Sequence, residues 1–210
     1  REGGGLLVTG GARSYGAGGW TDADPLATVL PLTMDPGPSD RVFLVLLVDA
    51  SGSMAMEGTP GNTKIEDARS AVSAIVPELG ADDLVSLVAF RDTAHLLLPP
   101  TPAFNRDTIL DSLSELKADG KTSLTAPLDF ATAMAREKTD VKCVAVMLSD
   151  GEPTIAVSAN DIAAAASRLR SAKATLHVLG TNPLPAHRKL LAAATEVAAI
   201  ANGVSHFPGR

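Results

Sequence analysis

The stretch Val42–Met54, VFLVLLVDASGSM, constrains the fold more than any other part of this chain. It is apolar at every position from Val42 to Val48, then breaks at once into Asp49, Ala50, Ser51, Gly52 and Ser53. A strand with one wet face alternates apolar and polar residues. An unalternating run cut off by small polar residues is a strand buried on both faces. Asp49, Ser51 and Ser53 follow at spacings of two, immediately beyond the strand end. In an open α/β sheet that is where ligands bind, outside the carboxyl ends of the strands. One carboxylate and two hydroxyls there form an oxygen-only cluster, the chemistry that suits a hard cation such as Mg²⁺ or Mn²⁺. On its own D-x-S-x-S reads equally well as a polar turn, and it needs partners from elsewhere in the chain.

The rest of the chain supplies the sheet. Thr63 and Glu66 form a capping box that opens a helix with Ile65, Ala68, Val72, Ile75 and Val76 on its apolar face, ended by Pro77 and Gly80. The preceding segment, Met54–Gly61, reads as a flexible loop with two exposed methionines. Leu84–Phe90 is a second buried strand, and His95–Leu98, closed by Pro99 and Pro100, a short edge strand, because prolines cannot donate to a ladder. Asn105 caps a helix that turns Ile109, Leu110, Leu113 and Leu116 inward. The loop Asp119–Thr125 leads into a helix faced by Leu128, Ala131, Met134 and Ala135. Val141–Ser149 is a third long buried strand, ending in Asp150-Gly151-Glu152-Pro153. A helix carrying Ile162, Ala165, Ala166 and Leu169 follows, then strand Thr175–Leu179. A last helix carries Leu190, Ala194, Val197 and Ala198 and stops at Asn202-Gly203, before Val204–Phe207 closes the chain. Apolar strands alternating with helices predict a doubly wound, parallel sheet with helices on both faces.

Composition narrows the function classes. With 210 residues the chain fits one ordinary domain or one domain plus a fragment. Only 3% of residues are aromatic against 45% hydrophobic, so the core is built from Ala, Val, Leu and Ile. A net charge of −6 without a Lys/Arg cluster argues against a nucleic-acid surface. The single cysteine, Cys143, lies inside an apolar run and is expected as a buried, reduced thiol. No apolar stretch approaches the ~18 residues of a membrane span, so no direct membrane insertion is expected. The chain begins at Arg1 in a strand approach, which we read as a segment of a longer protein.

Residues 1–35 differ from the remainder. Gly3-Gly4-Gly5-Leu6-Leu7-Val8-Thr9-Gly10-Gly11 is a short strand between glycines, followed by the glycine-rich Ser14–Trp20. Ala12-x-Ser14-x-Gly16 half-matches a nucleophile elbow, but the first glycine is missing and no helical pattern follows. No G-x-G-x-x-G precedes a helix either, so a structural loop is the reading. Asp35-Pro36-Gly37-Pro38-Ser39 is a dense turn signal and marks a boundary.

Three loops of the predicted sheet fall on one edge: Asp49/Ser51/Ser53, Thr122 and Asp150. Together they offer two carboxylates and three hydroxyls. Mg²⁺ takes near-octahedral oxygen at ~2.0–2.1 Å and keeps several waters, so few protein ligands suffice. Neutral hydroxyls binding directly, with carboxylates holding the waters, leave such a cation electrophilic and receptive to a carboxylate from outside. Two decoys fail. Gly120-Lys121-Thr122 resembles the tail of a phosphate-binding loop, but Glu115 stands where that motif needs its first glycine. A metal-dependent hydrolase needs a nucleophile or a positioned base, yet His95, His177, His187 and His206 are scattered outside the three loops, and Glu57 and Glu152 read as solvated loop charges.

With these residues in hand, the chain over about residues 40–210 resembles the von Willebrand factor A domain with a metal-ion-dependent adhesion site. That family's pattern is D-x-S-x-S, a distant Thr and a later strand-terminal Asp-Gly. Here they are Asp49-Ala50-Ser51-Gly52-Ser53, Thr122 and Asp150-Gly151, with Met54 and Lys64-Ile65-x-x-Ala68 also similar. The resemblance implies an α/β, mostly parallel sheet with one antiparallel edge strand, a role for His95–Leu98. It implies metal ligation by Asp49, Ser51, Ser53, Thr122 and Asp150, with Mg²⁺ (or Mn²⁺ or Ca²⁺) as cofactor. The three hydroxyls would bind directly and the two aspartates largely through water. It implies a protein partner offering an Asp or Glu carboxylate, and no enzymatic activity; a metal-dependent hydrolase or a partner domain of a chelatase-like ATPase are the alternatives. In related domains ligand binding can shift the last helix, here Lys189–Ala201. The segment between Met54 and Lys64 is longer than in compact bacterial examples and lies beside the site. Residues 3–33 resemble a glutamine amidotransferase-like segment that carries no cysteine nucleophile here. In certain bacterial membrane proteins such a domain adjoins a von Willebrand A domain. The pairing implies a leading fragment and linker over 1–35, and a cell-envelope protein of bacterial origin.

Overall fold

The computed structural model describes residues 41–198 and 205–206. The chain divides into two units, 1–40 and 41–210. The amidotransferase-like reading of residues 1–35 and the helix stop at Asn202-Gly203 therefore lie outside the described residues.

The strands are β1 (Val42–Asp49), β2 (Leu84–Phe90), β3 (Ala94–Pro102), β4 (Lys142–Ser149), β5 (Thr175–Gly180) and β6 (Ser205–His206). The helices are α1 (Lys64–Ile75), α2 (Arg106–Ser112), α3 (Ala126–Glu137), α4 (Ala159–Ser171) and α5 (Pro185–Ala198). They form one sheet in the order β3-β2-β1-β4-β5-β6. Every pair is parallel except β2–β3, so the sheet is doubly wound, as the residue patterns predict, with one antiparallel edge strand, as the family resemblance implies.

The unalternating run of β1 works as a two-sided core strand. Phe43, Val45 and Leu47 pack with Leu128, Ala131, Ile162, Leu169 and Leu191 from α3, α4 and α5. Leu44, Leu46 and Val48 pack on the opposite face with Ile65, Ala68 and Val72 of α1 and Ile109 of α2. Each such buried apolar side chain contributes about 1.5–3 kcal/mol, so β1 anchors both halves of the core. Cys143 joins the first of these clusters, and burial pushes its thiol up to about 11, leaving it unreactive at neutral pH.

Local signals hold in detail at the helix starts. Thr63 and Glu66 make the reciprocal capping box that opens α1, and Ser158 with Asp161 does the same for α4. Other expectations need correction. The edge strand is not the short His95–Leu98 but runs from Ala94 to Pro102, through Pro99 and Pro100. At a sheet edge a missing N–H on the outer side breaks no ladder bond, and register shifts near Leu87 accommodate the irregularity. Leu110 does not face inward; it is 36% exposed, while Ile109, Leu113 and Leu116 are buried as expected, the 3₁₀ turn Leu113–Glu115 after α2 carrying Leu113 into the core. Asn105 occupies the N-cap position of α2 but makes no side-chain cap bond.

The segment after β1 is also not an open loop with two exposed methionines. Gly52–Ala55 is a 3₁₀ turn that buries Met54 completely, while Met56 is 60% exposed. Glu57 and Thr63 form an antiparallel bridge, and the Asp67 carboxylate accepts from the Thr59 amide at 2.7 Å and the Thr59 hydroxyl at 2.6 Å. The sequence pattern shows the polar composition of this segment; the tie to Asp67, one turn into α1, is a tertiary contact that composition does not carry.

Candidate metal centre

The strand order reverses between β1 and β4, the position in a doubly wound sheet where loops part and a crevice opens. Asp49 ends β1, Ser149 ends β4, and Asp150 follows it. Their carboxylates are 0% and 1% exposed, so this edge begins with two acidic groups withdrawn from water. A buried carboxylate needs partners, and each finds them differently.

Asp49 is satisfied by hydroxyl and amide donors. Its Oδ1 accepts from the Ser51 amide at 2.9 Å, closing an Asx turn, and its Oδ2 accepts from Ser149 Oγ at 2.5 Å. Desolvation nevertheless pushes the Asp49 carboxyl up to about 6; the Ser149 and Ser51 hydrogen bonds oppose the rise and the nearby Asp150 charge adds to it. Asp150 is satisfied by charge. Its Oδ2 pairs with Lys64 Nζ at 2.7 Å and its Oδ1 accepts from the Glu152 amide at 3.1 Å.

The hydroxyls stand beside them. Ser51 Oγ and Ser53 Oγ are 3.2 Å apart, at the start of the 3₁₀ turn that buries Met54. The loop bearing Thr122 is fastened on both sides: Gly52 N–H donates to Gly120 O at 3.1 Å, and Asp119 N–H to Ala50 O at 2.9 Å. On its far side Thr122 N–H donates to Thr154 Oγ1 at 2.6 Å, and Ile155 N–H to Thr122 O at 3.1 Å. The β1 turn, the Thr122 loop and the segment after β4 are thus stitched into one edge by backbone bonds. The five residues singled out from sequence all lie on it.

Thr122 Oγ1 is the informative atom. Thr122 is 0% exposed, and its hydroxyl has no hydrogen-bond partner. A buried orphan hydroxyl costs about 1–3 kcal/mol and calls for an explanation; Ser86 Oγ, inside β2, is likewise unpartnered, and of these two hydroxyls only that of Thr122 stands on this edge. Among the described residues no group of three or more His, Cys, Asp and Glu side chains could hold a metal. A centre on this edge therefore has to combine two carboxylates with hydroxyls, and the residues present fit that: oxygen donors only, one of them unsatisfied.

Sequence reasoning missed three participants. Ser149 reads as the end of a strand and Thr154 falls between the elements the sequence defines, and nothing in a pattern of periodicity marks either. Lys64 had a signal: a cation at the first position of a helix, where acidic residues are favoured, is out of place. Gly151, at φ +70°, packs so closely on α5 that a Cβ there would lie 2.8 Å from Leu191 Cγ, which seats the residue after Asp150 directly on the last helix. Of the histidines, His95 lies in β3 and bonds Thr93 Oγ1 at 2.8 Å, His177 lies in β5, His187 in α5 and His206 in β6. None of them belongs to the three site loops.

Comparison with known proteins agrees with this architecture. The sequence model of the von Willebrand factor type A domain matches residues 44–152, which contain every residue of the cluster. A UPF0353 protein of Mycolicibacterium paratuberculosis is 32% identical over 120 residues, 54% of this chain and 36% of the relative, so the chain spans only about a third of that protein. Among solved structures, an aerotolerance-related membrane protein from Bacteroides fragilis, carrying multiple mutations to serine, superposes with a TM-score of 0.63 at 19% identity, covering 80% of this chain and 92% of the other. The manganese-loaded TRAP protein of Plasmodium vivax superposes with a TM-score of 0.62 at 20% identity, covering 80% and 68%. At such identities the structural likeness speaks for the fold. By the family match over more than half its length, the chain belongs to the von Willebrand factor type A domain family.

Proposed function

We propose that this domain is a divalent-cation-dependent protein-binding module, not an enzyme, and that Asp49, Ser51, Ser53, Thr122 and Asp150 hold the cation. Domains of this family are commonly protein-interaction modules. The observation that carries the finer reading is the buried, partnerless Thr122 hydroxyl on the edge where Asp49, Ser51 and Ser53 meet. Ser51, Ser53 and Thr122 would bind the cation directly, and Asp49 and Asp150 largely through water. Few carboxylates and compact hydroxyl donors favour Mg²⁺ or Mn²⁺ over Ca²⁺, which takes 6–8 oxygens. That a structural relative is manganese-loaded supports the choice of chemistry. When bound, the cation supplies an electrophilic coordination position for an Asp or Glu of the partner. The chain's own residues fix the oxygen donors: Ser51 Oγ and Ser53 Oγ stand 3.2 Å apart, and the Gly52–Gly120 backbone bond holds the Thr122 loop on the same edge.

Catalysis is disfavoured because both buried carboxylates are engaged, Asp49 by Ser149 and Ser51 and Asp150 by Lys64, and no histidine lies in the three loops. No helix among the described residues is long and apolar enough to cross a membrane. The likeness to a membrane protein of Bacteroides fragilis supports placing the parent in a bacterial cell envelope, with this domain as its interaction module. A crystal grown with Mn²⁺ tests the reading, because the anomalous signal locates the ion. The reading requires a peak bonded to Ser51, Ser53 and Thr122; a peak elsewhere, or none, contradicts it.

A further inference from the structure

Lys64 is costly where it stands. It is the first residue of α1, at the positive end of the helix dipole, and it is 8% exposed. Its ammonium is 2.7 Å from Asp150 Oδ2, a carboxylate that is itself 1% exposed. A buried ion pair of this kind is no better for stability than well-packed apolar residues, since desolvation takes back most of the Coulomb gain. Fold stability therefore does not account for a lysine here.

The site's charge does. With both carboxylates ionised, Asp49, Asp150 and Lys64 sum to one negative charge; a divalent cation turns that into one positive charge. Without Lys64 the loaded centre would be neutral. We propose that Lys64 sets the charge of the centre: its ammonium holds Asp150 in place when no metal is bound, weakens metal binding, and leaves the loaded site with a positive charge that an anionic partner group neutralises. This rests on the divalent-cation reading above and adds a reason for the partner's sign. A weakly held cation in a positively charged site is retained best when a carboxylate arrives, so metal and acidic partner bind cooperatively.

Titration calorimetry with Mg²⁺ alone tests this, comparing the wild type with Lys64→Met, Lys64→Gln and Lys64→Arg, each checked for folding by circular dichroism. Removing the repulsive charge should tighten Mg²⁺ binding about tenfold or more in Lys64→Met and Lys64→Gln, while Lys64→Arg binds like the wild type. A purely structural role predicts the opposite direction, because a loosened Asp150 would weaken the site. Lys64→Gln, which keeps a donor for Asp150, carries the test if Lys64→Met does not fold. Wild-type binding with no gain in either charge-removing variant overturns the role of Lys64 and leaves the cation reading standing. Absence of binding in all four proteins overturns both.

Discussion

Ser149 Oγ donates to Asp49 Oδ2 at 2.5 Å, joining the ends of the two central strands, and the same oxygen accepts from the Gly151 amide at 2.9 Å. One hydroxyl therefore ties the first acidic residue of the site to the loop that carries the second. Ser149→Ala removes the stronger of Asp49's donors and leaves a buried carboxylate short of a partner. Chemical denaturation at pH 8 in metal-free buffer should show a loss of about 1–3 kcal/mol. An unchanged midpoint would mean that this bond contributes nothing.

Burial of Asp49 also gives the metal-free domain a pH dependence with a definite sign. The folded-state carboxyl titrates at about 6 against an ordinary 3.8, so the folded protein holds the proton more tightly than the unfolded chain. The stability this contributes is complete below the ordinary carboxylate range and is lost as pH rises through about 6, a change on the order of 2–3 kcal/mol. Glu66, held below its usual range first by the Thr63 amide and then by its hydroxyl, and Asp161, held below by the Ser158 hydroxyl and then its amide, act in the opposite sense and only at lower pH. Denaturation in EDTA between pH 4.5 and 7 should therefore show stability falling with pH, and Asp49→Asn should flatten the trend. The cation needs Asp49 ionised, so Mg²⁺ affinity should climb over the same interval.

Thr122 separates folding from binding. Its hydroxyl is buried without a partner, so the isosteric Thr122→Val removes an unsatisfied group and fills the same space. In EDTA the variant should be as stable as the wild type or up to about 1–3 kcal/mol more stable. Thermal shift with added Mg²⁺ should be lost. A variant that unfolds more easily in EDTA would show that the hydroxyl has a structural role instead.

Much of this was legible in the chain. The unalternating run Val42–Val48 placed a two-sided strand, and the polar break after it marked the candidate site, because both are local patterns with a direct physical cause. The register of Thr122 against Asp49 was legible only through motif order, since the bonds that hold it, Gly52 to Gly120 and Thr122 to Thr154, join backbone to distant residues. Ser149 and Lys64 were not legible as site residues. A serine ending a strand has an ordinary local reading, and a lysine at a helix start is out of place but names no partner; only the fold brings them within 2.5 Å and 2.7 Å of the two carboxylates. Met54 misled for a related reason: a methionine among small polar residues reads as exposed until a 3₁₀ turn folds it beneath them.

The central claim is that this edge binds one divalent cation. Titration calorimetry of Mg²⁺ and Mn²⁺ into the domain at pH 7.5, beside Asp49→Ala, tests it most directly. The account predicts binding near one equivalent in the wild type and none in Asp49→Ala. Heat that is equal in both proteins, or absent from the wild type at millimolar metal with no thermal shift, would contradict it and leave the domain a scaffold that binds its partners without metal.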